Sequence, residues 1–162
     1  MQPPPAPFAP HLPVYAWERL PLRTGSRSWP DGPAEIPDDV AAEPLDIKLA
    51  GAAIPFDPAK PDGFFSAAVP DIEADLARHR FAWLPLQPEA GAGVFRTLWR
   101  VWRSRYFDTE GMHWHPYTAT ERAINVIDAG TRLGAPADHG VLAADLAKHA
   151  DVIAERLEYF GE

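Results

Sequence analysis

"HWHPYTATERAINVIDAGTRLG" (residues 113–134) passes from an aromatic, histidine-rich loop into a periodic segment. Thr118 followed three residues later by Glu121 has the spacing of a capping box, in which two side chains satisfy orphan backbone N–H groups at a helix start. The expectation is a loop, HWHPY, and then a helix that Gly134 and Pro136 stop. Along it Ala119, Ala123, Val126, Ile127, Gly130 and Leu133 form an apolar stripe, and Glu121, Asn125, Asp128 and Arg132 a polar one. A helix with one apolar face needs partners, and the flanking segments supply them.

"GVFRTLWRVWRSRYF" (residues 93–107) places Val94, Leu98, Val101 and Trp102 on one stripe, widened by Phe95, Trp99 and Tyr106. Its arginines are expected on a solvated face, their stems covering apolar surface. "PDIEADLARHRFAWLPL" (residues 70–86) turns Ile72, Leu76, Phe81 and Trp83 to one side, with Asp71 and Glu73 where a helix dipole favours them, until Pro85 and Pro88 end it. From Asp138 onward Leu142, Leu146, Val152, Ile153, Leu157 and Phe160 follow a helical period. Short loops marked by Pro and Gly join these segments, so the fold class is mainly α, built of antiparallel α-hairpins. Before them, "LDIKLAGAAIPFD" (residues 45–57) alternates at Leu45, Ile47 and Leu49 and breaks at Gly51 before Ile54 and Phe56, which suits two short strands around a turn or an extended segment with the same habit. Residues 1–44 hold eleven of the 19 prolines and read as an extended arm, with Trp17, Leu20 and Trp29 expected to anchor it on a surface. The chain thus divides into an arm, 1–44, and a helical domain, 45–162.

The 162 residues are 46% hydrophobic, enough for one core, and carry a formal charge of -8. That balance excludes a phosphate-backbone grip on nucleic acid and an electrostatic hold on an anionic membrane. The absence of cysteine removes disulfides, thiol nucleophiles and cysteine-based zinc sites. The N-terminal residues lack the basic and apolar regions of a secretory signal, and no stretch is long enough to span a bilayer, so the chain as written reads as cytoplasmic.

His113 and His115, two apart, could face one way in an extended segment, but no third ligand stands at a familiar offset. No metal and no cofactor are expected. His79, His139 and His149 sit alone on helices or their caps and read as boundary residues. "GAGVF" (residues 91–95) lacks the lysine of a phosphate loop, and Ser26, Ser28, Ser66 and Ser104 lack a nucleophile elbow. What remains is Trp114, Tyr117, Arg122 and Asn125. Aromatic rings stack on sugar faces and an arginine beside an amide holds a carboxylate, the contacts an acidic glycan needs. The competing reading makes Trp114 and Tyr117 core aromatics and pairs Arg122 with Glu121 or Asp128.

Four segments, "IPFD" (residues 54–57), "LARHRFAWLPL" (residues 76–86), "WHPYTATERAIN" (residues 114–125) and "LAKHADVIAERLEYFG" (residues 146–161), resemble in order the landmarks of the N-terminal region of heparinase II/III-like polysaccharide lyases. The resemblance covers roughly residues 50 to 162. It implies that the hairpins form part of an (α/α) toroid, and that the partner is an acidic, uronate-containing polysaccharide or oligosaccharide cleaved by β-elimination. Matched onto the family pattern, Trp114, Pro116, Tyr117, Arg122 and Asn125 fall on the aromatic loop and R-x-x-N, and the substrate-binding set is Trp114, His115, Tyr117, Arg122 and Asn125. Thr120 and Val126 depart from the serine and tryptophan the family often has. No catalytic residue is assigned, because the asparagine, tyrosine and histidine of the family's chemistry would follow the last matched helix. The expectation is an N-terminal lyase portion, inactive alone, whose unpartnered hairpin flank at Leu142, Leu146, Ile153 and Leu157 invites self-association. The resemblance also leaves a periplasmic or secreted setting open.

Overall fold

The computed structural model describes residues 32–155. Two strands, β1 (Leu45–Leu49) and β2 (Ala52–Phe56), pair antiparallel with Leu45 opposite Phe56 and Ile47 opposite Ile54. Gly51, at φ 72°, makes the turn between them. Alternation buries Ile47, Leu49, Ile54 and Phe56, as the sequence pattern requires. Gln87 clamps β1 from outside: its amide donates to Asp46 O, and its carbonyl accepts from Lys48 N.

Five helices follow among the described residues: α1 (Gly63–Ser66), α2 (Ile72–His79), α3 (Gly91–Tyr106), α4 (Pro116–Leu133) and α5 (His139–Glu155). The fold is mainly helical with one small sheet. Helices α4 and α5 form an antiparallel hairpin. The chain reverses between Leu133 and His139, and Arg122 then meets His149, about as far along α5 as Arg122 lies back along α4. Indole and phenyl rings fill the centre. Phe81, Trp83, Phe95, Trp99 and Trp102 are all buried, with Trp99 stacked on Trp102 at 5.5 Å.

Several expectations are corrected. Helix α2 starts where Asp71 accepts from Ala74 N, but it ends at His79 instead of running on toward Pro85. Phe81 takes φ 55°, a left-handed conformation that bulky residues avoid, and fits there because its ring packs against Phe65, Trp83 and Trp99. Ile72, at the start of α2, is exposed, not turned inward. Helix α4 begins two residues before the capping-box position: the His115 ring accepts from Tyr117 N, Pro116 stands in the first turn, and Thr118 is buried. Its buried face runs through Ala119, Arg122, Val126 and Ala129, which leaves Ile127 exposed. Along the flank expected to be open, Leu142 is buried, and Leu146 and Ile153 are partly buried against the core. Leu157 and Phe160 lie outside the described residues, as do Trp17, Leu20 and Trp29.

Arg96 is also buried, against the expectation of a solvated arginine face. It donates to the carbonyls of Ile36, Asp38 and Val40 and so ties the end of the arm to α3. Arg78 does the same for Phe64 O and Ala67 O at the C-terminal end of α1. Irregular backbone cannot satisfy its own carbonyls, and a guanidinium with five N–H groups collects several at once. The arm end also bridges to the α4–α5 loop, Ile36 N donating to Ala135 O and Ala135 N to Ala34 O.

Close approach of arm and α3 depends on Gly93. A Cβ added there would lie 1.9 Å from Ala41 O. Gly93→Ala is therefore expected to push residues 36–42 off α3 and to lower stability by about 2 kcal/mol, the usual scale of overpacking. Urea unfolding, with limited proteolysis of residues 33–44, checks this; an unchanged midpoint and cleavage pattern would show that the arm does not hold this position.

Candidate functional site

The expected site residues, on α4 and the turn before it, divide into two groups. Trp114 and Arg122 turn inward. Arg122 is 0% exposed and donates from Nε to His149 Nε2 at 2.8 Å, and from one terminal nitrogen to His79 O at 3.0 Å and His113 O at 2.8 Å. Its guanidinium lies 3.9 Å from the Trp102 ring centre and 4.9 Å from that of Trp114. Neither Glu121 nor Asp128 pairs with it; they face Arg80 and Arg132. Burial without a carboxylate partner lowers its pKa to about 9, so it remains charged at neutral pH and is held by ring faces and carbonyl dipoles.

Two histidines complete this cluster. His149 Nδ1 lies 2.7 Å from Asp145 O, a carbonyl that can only accept, so Nδ1 carries the proton and Nε2 is free to accept from Arg122. His79 Nδ1 accepts from Trp102 Nε1 at 3.2 Å, which fixes the other tautomer there. The one lone pair of each ring is thus already engaged. Burial brings both pKa values down to about 3, with the nearby Arg122 charge a lesser contribution to each. Both are buried in the core instead of being the boundary residues their isolation implied. His139, the third, meets Pro33 O at 2.7 Å where the arm passes.

His113 and His115 are used separately. His113 stacks near His79 and Tyr106 and meets Thr109 Oγ1 at 3.0 Å, whereas His115 caps α4. Among the described residues no three or more His, Asp or Glu side chains are placed together to hold a metal ion.

Tyr117 and Asn125 point the other way. Tyr117 is 53% exposed, with the Arg80 guanidinium 4.6 Å from its ring centre, and its hydroxyl pKa is raised by a hydrogen bond to Glu121. Asn125 donates to Arg80 O at 3.0 Å, and Arg132 reaches Leu84 O, so polar residues of α4 hold the irregular turn after α2. Beside that turn Ala82, Pro85, Leu86, Glu121, Ile124 and Asn125 line a shallow groove of about 280 Å³.

A larger cleft, about 540 Å³, opens beyond Trp114 and is lined by Asp108, Thr109, Glu110, Gly111, Lys148 and Val152. Lys148 donates to Phe107 O, sits 4.2 Å from the Phe107 ring centre, and faces Asp108 at 3.5 Å. Sequence reasoning missed His149 and Lys148. The available signal was Asp145, Lys148 and His149 at helical spacing on one side of α5.

No helix among the described residues is long and apolar enough to cross a membrane. Compared with protein-family models, with curated proteins and with solved structures, the chain matches none.

Proposed function

We propose that the chain is the N-terminal helical portion of a heparinase II/III-like polysaccharide lyase for uronate-containing glycans, part of an (α/α) toroid, and inactive alone. The observation that carries this reading is convergence. Segments that resemble separate family landmarks meet at one point, where Arg122 of "WHPYTATERAIN" bonds His79 of "LARHRFAWLPL" and His149 of "LAKHADVIAERLEYFG". Asn125, three residues on, bonds Arg80 of the same second segment. On this account R-x-x-N is a framework device, and glycan contact falls to the exposed Tyr117, to His115, and to the edge of Trp114 at the cleft.

The chemistry in place supports inactivity. β-Elimination needs a base with a free lone pair near the proton α to a carboxylate. His79 and His149 have theirs occupied and are buried, and the Tyr117 hydroxyl is held protonated by Glu121. Incubated with heparin, heparan sulfate or alginate, the protein is expected to give no rise in unsaturated-uronate absorbance while binding a uronate oligosaccharide in calorimetry. Tyr117→Ala should weaken that binding about fivefold, the scale of one exposed stacking contact. Rising absorbance that survives a chelator would overturn the inactivity, and absence of binding would overturn the glycan.

A second reading, a glycan-binding module without a lyase context, is favoured by the cleft at Trp114, where Lys148, Thr109, Asp108 and Glu110 offer a charge and hydroxyl-bonding groups beside an aromatic edge. Lys148→Ala abolishing binding while Tyr117→Ala leaves it unchanged would select that reading.

A further inference from the structure

Between α3 and α4 the chain closes over the Arg122 cluster with a short loop. Asp108 to Met112 are exposed, and the side chain this segment sends inward is that of His113, which is half-buried. Its ring centre lies 5.5 Å from that of His79 on α2 and 5.1 Å from that of Tyr106 on α3. A Cβ added at Gly111 would stand 2.9 Å from His113 Cε1, so a glycine, at φ 147°, lets the backbone fold over the imidazole. Within the turn Trp114 N donates to Gly111 O at 2.9 Å and His115 N to Met112 O at 3.1 Å. Both bonds last only while the turn stays closed.

The slot suits a neutral ring and resists a charged one. Arg122 of α4 donates to the carbonyl of His113 itself, which brings a permanent cation to the same residue, and the His79 ring opposite already accepts at Nδ1 from Trp102. Three groups favour the charged ring: the carbonyls of Thr109 and Tyr106, and Asp75 of α2. Asp75 is engaged by Arg78, and burial together with Arg122 outweighs all three, so the His113 pKa lies below its ordinary value. In an opened loop the ring regains water and its ordinary proton affinity. The closed loop is therefore fully favoured above pH 6.5, the ordinary value, and loses ground as pH falls below it.

We propose that residues 108–113 form a proton-operated latch, in which His113 is the bolt: a proton on its ring sets a second cation against Arg122, the ring leaves its slot between His79 and Tyr106, and the loop swings away from α2 while the helices stay folded. Opening breaks contacts of one half-buried side chain, whereas unfolding breaks the whole core, so the latch moves first as acid is added. Asp108, Thr109, Glu110 and Gly111 also line the cleft at Trp114, and the shape of that cleft then depends on pH. The latch itself requires no ligand.

Amide hydrogen exchange of the full-length protein, corrected for the chemical exchange rate at each pH, tests this. Protection of the Trp114 and His115 amides is expected to fall about tenfold from pH 7 to pH 5, from a starting level below that of the α3 interior. His113→Phe keeps a ring in the slot and cannot take a proton, so its loop should hold its protection through the same range; His113→Gln repeats the comparison if the larger ring disturbs folding. A loop that loses no protection in the parent protein would overturn the proposal. So would an equal loss in parent and variants, or a loss that only tracks the α3 amides, which would assign the proton's effect to the fold as a whole.

Discussion

Replacing Arg122 with alanine is expected to lower folding stability by about 4 kcal/mol in urea titration, the largest effect of any single substitution in α4. Two backbone carbonyls and the His149 ring lose their donor, each unsatisfied buried acceptor costing roughly 1 to 3 kcal/mol, and a void opens between Trp102 and Trp114. Part of that loss is offset, because a desolvated charge without a carboxylate partner is removed at the same time. Arg122→Met separates these contributions. It fills the void and discards the charge but leaves the acceptors bare, so a loss of about 2 kcal/mol is expected. If Arg122→Met proved more stable than the parent, desolvation would outweigh the hydrogen bonds, and Arg122 would not be the framework residue argued above.

The second large effect is acid lability, and its sign follows from His79 and His149. Each has a folded pKa of about 3 against an ordinary value of 6.5, so between these limits the unfolded chain binds protons that the folded chain refuses. The stability contributed by neutral histidine is present above pH 6.5 and falls as pH drops toward 3. One histidine contributes a slope of about 1.4 kcal/mol per pH unit, so two remove roughly 4 to 5 kcal/mol between pH 6 and pH 4. That is comparable with the whole stability of a small domain. His113, also lowered by burial, acts in the same direction. Asp145, raised by burial, acts in the opposite one, gaining stability as its carboxylate is protonated. His149→Gln retains an acceptor for Arg122 and cannot titrate, so it should remove about half of the acid slope in unfolding curves taken from pH 7 to pH 4. An unchanged slope would mean that His149 is accessible to protons in the folded state.

The hairpin of β1 and β2 was legible because two-residue alternation around Gly51 is a local signal, and α3 because its aromatic stripe fits only one period. The end of α2 was not. Phe81 adopts a backbone conformation that its own sequence disfavours, and Phe65, Trp83 and Trp99, brought in by tertiary packing, hold it there. The start of α4 was misplaced because Thr118 and Glu121 satisfy the capping pattern on paper, while a histidine, a rarer cap, performs the task three residues earlier. Among the site residues the sequence grouped Trp114, Tyr117, Arg122 and Asn125 but did not give the direction of each. Charged residues default to the surface, and only the rings of Trp102, Trp114 and His149 together with the carbonyls of His79 and His113 make an interior position tolerable.

The bridge between the arm and the α4–α5 loop bears on how the chain assembles while it is being made. Glu35 pairs with Ala135, one hundred positions later, so the contact has a long loop to close and cannot form until that loop has emerged from the ribosome. At roughly 5 to 20 residues per second, residues 33–44 wait roughly 5 to 20 s without their partner. During that interval Ile36 and the backbone groups around it are open to chaperones and proteases. Arg96 is synthesised well before Ala135, and it offers the arm end a provisional anchor on α3 before the bridge closes.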